Sequence, residues 1–218
     1  MDIKKEIAKQ IEKMSGKYNA HTIFFDWVAM MALSIQNSCD IFKGTLWQKR
    51  EKDYLAYAKK YNKQELQQFA TMTAMLTIAF DEEIYDYLGF IYMESGAGSK
   101  KAGQFFTPFH LSEMMARMEM RNVKEGETVS LNEPSTGGGG MILAAAKALK
   151  EREINYQKCL DVVAQDLDWT GVYMTYVQCS LTGIKAVVAQ GDTIQEPYNK
   201  SYNRERVLIT PKKMGVLI

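Results

Sequence analysis

The sequence predicts an α/β chain: a helical N-terminal domain over residues 1–95, then a mostly parallel sheet with crossover helices over residues 96–218. Three observations predict it. The first 95 residues carry apolar side chains at helical spacing, and no proline occurs before Pro108 to force a break. Residues 95–101, Ser-Gly-Ala-Gly-Ser-Lys-Lys, form the clearest boundary in the chain. Beyond them, short apolar runs alternate with helical stretches, the grammar of a parallel sheet.

The elements follow in order. Ile3, Ile7 and Ile11 are spaced by four; Trp27, Met30, Met31, Ser34 and Ile35 keep a helical period, as do Leu66, Phe69, Met72, Thr73 and Leu76. After the boundary, Thr107-Pro108 offers an N-cap with proline at the first helical position. Leu111, Met114, Met115 and Met118 then form one stripe, read as core packing. Apolar runs at 129–131, 160–164 and 186–189 are separated by helical stretches at 138–149 and 168–181, and a fourth run stands at 207–209.

Composition excludes several classes. Hydrophobic residues at 46% and charged residues at 24% argue against disorder. A net charge of +1 offers no global field for nucleic acid. Locally, residues 1–63 hold 12 basic and 7 acidic side chains, whereas residues 64–95 hold 6 acidic and no basic ones. The basic third interleaves Lys49, Arg50, Lys52, Lys59 and Lys60 with Trp47, Tyr54, Tyr57 and Tyr61. A solvated helix face with inward aromatics explains this mixture better than a phosphate-binding surface. Cys39, Cys159 and Cys179 are scattered, and His21 and His110 are the two histidines. No disulfide framework or metal site is expected, and a reducing interior is. The charged start lacks a signal-peptide core, and the apolar stretch 22–35 is shorter than a membrane span and contains Asp26. A soluble, cytoplasmic protein without a membrane partner is expected.

The chemical centre is the turn Asn132-Glu133-Pro134-Ser135-Thr136-Gly137-Gly138-Gly139-Gly140. Glycines let a backbone approach a ligand closely, and a following helix N-terminus presents unpaired N–H groups. A P-loop would end in Gly-Lys-Ser/Thr, and Met141-Ile142 stands there instead. A dinucleotide fingerprint wants a third glycine where Ile142 stands. What remains is a turn with Glu133 four positions before Gly137. A carboxylate there suits a ligand bearing an amine or sulfonium, and S-adenosylmethionine has both. Asp166 closes the second strand, where a carboxylate accepts ribose hydroxyls, and Asp192 closes the third, where one can accept an exocyclic amine. Each acid alone is a cap or turn residue; three at successive strand ends mark the edge where open α/β sheets bind ligands.

The segment from Asp86 to Asp192 resembles the adenine-specific N6 DNA methyltransferases, especially the methylation subunit of type I restriction–modification systems. Asp86-Tyr87-Leu88-Gly89-Phe90-Ile91-Tyr92 is similar to the segment closing that family's helical domain. Gly103-Gln104-Phe105-Phe106-Thr107-Pro108 matches its Gly-x-Phe-Tyr-Thr-Pro motif. Residues 133–140 match Asp-Pro-x-Cys-Gly-Ser-Gly-Gly, Gln165-Asp166 matches Gln-Glu, and Gly191-Asp192-Thr193 matches Gly-Asp-Thr. The resemblance implies a Rossmann-like S-adenosylmethionine-dependent methyltransferase fold, here expected to stop after its fourth strand. It implies that Glu133 and the backbone of Gly137, Gly138 and Gly139 hold the methionine end of the cofactor. Asp166 would hold the ribose, Asp192 the adenine, and Phe106 would lie beside the methionine part. The motif neighbours Thr107, Pro108, Pro134, Leu167 and Thr193 complete the expected set.

The match fails at the catalytic loop. The family's Asn/Asp-Pro-Pro-Tyr/Phe tetrapeptide localises the lone pair of the adenine amine and stacks on the flipped base. At its expected place stands Thr210-Pro211-Lys212-Lys213. A hydroxyl replaces the amide acceptor and an ammonium replaces the aromatic. No element for reading a DNA sequence is apparent either. One expectation is a DNA adenine N6-methyltransferase-type component that binds S-adenosylmethionine and methylates DNA only with a partner, a specificity or catalytic subunit. The alternative is a non-catalytic relic or regulator that keeps the cofactor site. A third reading has Thr210-Pro211 acting on another acceptor.

Overall fold

The computed structural model describes residues 2–98 and 106–216. Residues 99–101 of the expected boundary and residues 103–105 of the aromatic motif lie outside that set. Two units result. One runs to Glu83 and resumes at Tyr87; the other joins Ile84–Asp86 to the chain from Phe106 onward.

In its described residues the first unit consists of helices: α1 (Ile3–Met14), α2 (Ala20–Ser38), α3 (Thr45–Ala58), α4 (Lys63–Glu82) and α5 (Tyr87–Glu94). Side chains from nearly the whole circumference of α2 are buried, Ile23, Phe24, Trp27, Val28, Met30 and Met31 among them, which makes it the centre of this unit. Ile7 and Ile11 of α1, Phe69, Met72 and Leu76 of α4, and Leu88, Ile91 and Tyr92 of α5 are buried with it. The Trp27 indole N–H donates to Thr73 Oγ1 at 3.0 Å. Asn19 caps α2 by accepting from the Thr22 N–H, and Asn62 with Glu65 forms a capping box on α4. Ser95 and Ala97 are buried, and the Gly98 N–H donates to the Tyr92 carbonyl at 3.0 Å. The expected boundary therefore begins as the close of α5. No helix among the described residues is long and apolar enough to cross a membrane.

The second unit continues with α6 (Phe109–Met120), β1 (Val129–Glu133), α7 (Gly140–Glu151), α8 (Tyr156–Cys159), β2 (Leu160–Asp166) and α9 (Trp169–Leu181). It ends with β3 (Lys185–Gln190), β4 (Val207–Ile209) and α10 (Pro211–Met214). The sheet order is β1-β2-β3-β4. β1, β2 and β3 are parallel, with Leu131 opposite Val162 and Val162 opposite Ala186. Helix α9 packs on β2 and β3, and α6 lies along α7. This is the expected mostly parallel α/β arrangement.

One detail was left open by the sequence and two depart from expectation. β4 runs antiparallel to β3, with Val187 opposite Ile209. A further parallel strand needs a crossover, usually helical; residues 191–206 hold only a 3₁₀ turn at Arg204–Arg206, so the chain doubles back instead. Helix α6 starts at Phe109 with Pro108 at its N-cap, one residue later than the Thr107 cap predicted. Its methionine stripe is not core: Leu111, Met114, Met115 and Met118 are 41 to 61% exposed. The buried face carries Phe109, Ser112, Ala116 and Met120. The facing helix α7 is rich in alanine, so close approach selects small residues on α6. Glu113 with Lys147 (2.8 Å) and Arg117 with Glu151 (3.0 Å) flank the contact.

Candidate functional site

Because β1, β2 and β3 are parallel, their C-terminal ends share one edge, and the glycine turn forms there. Pairing of β1 with β2 continues past Glu133, where the Thr136 N–H donates to the Gln165 carbonyl at 3.1 Å. The chain then turns sharply. Gly139 sits at φ 85 as the N-cap of α7, and its N–H donates back to the Thr136 carbonyl at 2.8 Å. A β-carbon there would also press on Thr175 Oγ1 at 3.1 Å.

Helix α9 holds the turn through side chains. Thr175 Oγ1 donates to the Gly137 carbonyl at 3.0 Å and lies 3.0 Å from Thr136 Oγ1. Gln178 Nε2 donates to the Gly138 carbonyl at 2.6 Å. On the strand side, Asp166 Oδ2 accepts from the Gly137 N–H at 2.7 Å and Oδ1 from the Asp168 N–H at 2.9 Å. One carboxylate thus ties the turn to the start of α9. The ring of Phe106 lies against Gly137, close enough that a β-carbon would fall 2.9 Å from it.

The acids differ in their surroundings. Burial raises the Glu133 carboxyl above its usual range; the Ser135 N–H opposes this, and the nearby Asp166 charge adds to it. Burial also raises Asp166, against the pull of the Asp168 and Gly137 N–H groups. Asp192 lies half-buried past the end of β3, its Oδ1 accepting from the Ile194 and Gln195 N–H groups at 2.9 and 3.2 Å. Gly191 before it adopts φ 154, and a β-carbon would strike the Tyr202 hydroxyl and Arg206. Thr193 is half-buried, whereas Thr107, Pro108 and Pro134 are exposed.

The structure brings Phe106, Glu133, the glycine turn and Asp166 to one corner. The strand order sets Asp192 beside them, past the end of the neighbouring strand. It does not bring Thr210-Pro211-Lys212-Lys213 there. Because β4 is antiparallel, this segment lies at the start of β3, the opposite end of the sheet. The buried Thr210 hydroxyl donates to the Ile184 carbonyl at 2.8 Å and accepts from the Ala186 N–H at 2.9 Å. Pro211 is buried, Lys212 is half-buried, and Lys213 Nζ pairs with both oxygens of Asp161 at 2.6 Å.

Two contributions were given no role of their own in the sequence. Gln165, buried before Asp166, donates to the Glu196 carbonyl at 2.9 Å and accepts from the Tyr198 N–H at 3.0 Å, so it anchors the 191–206 loop. Ile194, beside Asp192, is 89% exposed, and Leu167, beside Asp166, is 69% exposed. Two bare apolar side chains following two strand-end acids are the signal that points to Ile194.

The model of the N-6 DNA methylase family matches residues 81–214. The chain belongs to that family. The match takes in the glycine turn, all three strand-end acids and Asp86, so the N-6 DNA methylase segment joins most of the α/β unit to α5 of the helical unit. Among solved structures, the chain is similar to the methyltransferase subunit of a type I restriction–modification system from Streptococcus thermophilus. That alignment has 16% identity and a TM-score of 0.49, and covers 89% of this chain and 44% of the other. It is also similar to a putative class I S-adenosylmethionine-dependent methyltransferase from Listeria monocytogenes, at 14% identity and a TM-score of 0.49, covering 81% of this chain and 56% of the other. The N-6 DNA methylase chain thus spans about half the length of these solved proteins. None of the curated proteins matches it.

Proposed function

We propose that this chain binds S-adenosylmethionine at the Glu133–glycine turn–Asp166 corner and serves methyl transfer to the N6 amine of DNA adenine together with a partner. The observation that carries the reading is Glu133: a half-buried carboxylate at the mouth of a glycine turn, raised by burial and by the nearby Asp166 charge, with the Ser135 N–H opposing. A ligand bearing an ammonium and a sulfonium supplies positive charge that offsets this burial. Residues 137–140 offer a ligand backbone alone, the space beside their α-carbons being taken by Phe106, Asp86 and Thr175. Asp166 keeps lone-pair capacity for ribose hydroxyls beyond its bonds to the Gly137, Asp168 and Leu167 N–H groups. Asp192 Oδ2 is the atom for the adenine amine, and Leu167 and Ile194 would cover the faces of the base. Phe106, Thr107, Pro108, Pro134 and Thr193 line the approach. When bound, the cofactor supplies an electrophilic methyl group.

Among the described residues, Thr210-Pro211 is not placed to supply the acceptor side. Thr210 is committed to the β3 backbone at the far end of the sheet. That commitment argues against methyl transfer through Thr210-Pro211 and favours a partner carrying an Asn-Pro-Pro-aromatic loop, with DNA engaged through the complex. Calorimetry of the full chain with S-adenosylmethionine tests the binding. A saturable signal is expected, and Asp166→Ala should weaken it at least about tenfold. Absence of any response in the parent chain overturns the reading. Labelled methyl transfer to unmethylated DNA should require a neighbouring gene product with the missing loop. Robust transfer by the chain alone would remove the need for a partner.

The raised Glu133 carboxyl yields a second expectation. An acid whose folded pKa lies above its unfolded value contributes stability below the unfolded pKa and loses it as pH rises through the folded one. At neutral pH its buried charge therefore weighs on the unliganded fold. Glu133→Gln should raise the unfolding midpoint at pH 7, lose that advantage near the ordinary glutamate pKa of about 4.3, and weaken cofactor binding. Parallel thermal melts at both pH values check the sign.

A further inference from the structure

Asp86 is 6% exposed and belongs to the α/β unit, although in sequence it lies between α4 and α5 of the helical unit. A carboxylate so buried needs positive partners. Its Oδ1 accepts from Gln178 Nε2 at 2.8 Å. Its two oxygens also lie against the start of α7: β-carbons added to Gly138 and Gly140 would fall 3.1 Å from Oδ1 and Oδ2 respectively. That is the positive end of a helix of twelve residues, where backbone N–H groups lack helical partners. The same Gln178 amide donates to the Gly138 carbonyl at 2.6 Å, so one NH₂ group joins the carboxylate to the turn.

The arrangement explains the run of four glycines. Gly138 and Gly140 make room for Asp86, Gly137 for the Phe106 ring, and Gly139 for Thr175 at a positive φ. It also sets the direction of the donors. In a trans peptide the C=O and the following N–H point opposite ways. With the Gly137 carbonyl held by Thr175, the Gly138 N–H is directed away from α9. A turn freed from α9 would lose that orientation.

We propose that Asp86 and Gln178 are a positioning pair that sets the glycine turn for its ligand. The pair touches the turn and need not touch the cofactor; its effect on affinity rests on the cofactor reading above. The test uses the full chain with Asp86→Asn, Gln178→Leu, Gln178→Glu and the double variant Asp86→Asn/Gln178→Leu. S-adenosylmethionine affinity should fall about tenfold in Asp86→Asn and in Gln178→Leu. The double variant should be no worse than the poorer single one, because both substitutions break one linkage. Gln178→Glu, which sets two carboxylates face to face, should lose the most. Hydrogen exchange should quicken at amides 137–141 while those of β2 and β3 stay protected. Parent-like affinity in both single variants overturns the proposal. So does faster exchange across the whole unit in step with a lower melting temperature, which would mark a general structural role. The exchange readout needs no ligand: a parent chain that binds no cofactor sinks the cofactor reading, and local exchange at the turn still decides the pair.

Discussion

Gly171→Ala will destabilise the unliganded protein and abolish its response to S-adenosylmethionine, although alanine is the better helix former by about 1 kcal/mol. Gly171 lies in the first turn of α9, where a β-carbon would fall 2.9 Å from Asp166 Cγ, 3.0 Å from its Oδ2 and 3.0 Å from the Gly137 carbonyl. None of these is the loose end of a flexible side chain. The carboxylate is held by the Gly137 and Asp168 N–H groups, and the carbonyl by Thr175. Relief therefore requires α9 to retreat or Asp166 to release the turn, and either opens the corner. Overpacking of this kind costs about 1–3 kcal/mol, enough to reverse the helix-propensity gain. Thermal melts with and without the cofactor check both parts. A midpoint at or above that of the parent would mean that the corner yields freely, and that its geometry is not held by this contact.

What could be read beforehand depended on whether a signal was local. The strands β1, β2 and β3 announce themselves as short apolar runs between helical stretches, and their parallel order puts Glu133, Asp166 and the end of β3 on one edge. The direction of β4 is not local. Three apolar residues at 207–209 say nothing of polarity; it depends on residues 191–206 failing to form a helix and on Gln165 pinning that loop at Glu196 and Tyr198. The methionines of α6 show the limit of periodicity. Four apolar side chains on one helical face read as core, yet an alanine-rich partner selects Ser112 and Ala116 instead. Asp86 was visible as part of a motif, but nothing in its neighbourhood says that it ends against Gly138 and Gly140. Such a contact is made by the fold and belongs to no single segment.

The second large effect is expected in the helical unit, where Asp26 stands within the most apolar stretch of the chain. Its buried carboxylate accepts from Lys60 Nζ at 2.9 and 3.0 Å and from the Tyr61 hydroxyl at 2.8 Å. Lys60 and Tyr61 lie between α3 and α4, so this acid pins that junction to α2. Burial, then the bond to Asp26, pushes the Tyr61 hydroxyl far above its usual range, so it stays a donor at every ordinary pH. Lys60→Met leaves the charge buried with one neutral donor and should cost about 2–3 kcal/mol. This is below the usual cost of such a break, about 3–5 kcal/mol, because the Lys60 side chain is 35% exposed and water reaches the pair. Asp26→Asn should cost less, about 1 kcal/mol, since the lysine can turn outward to solvent. Adding Asp26→Asn to Lys60→Met should recover stability, because it removes the stranded charge that makes the single variant poor. Denaturant unfolding of the four proteins at neutral pH completes the cycle. Additive losses would show that Asp26 and Lys60 act independently, and that the acid is held by packing and Tyr61 alone.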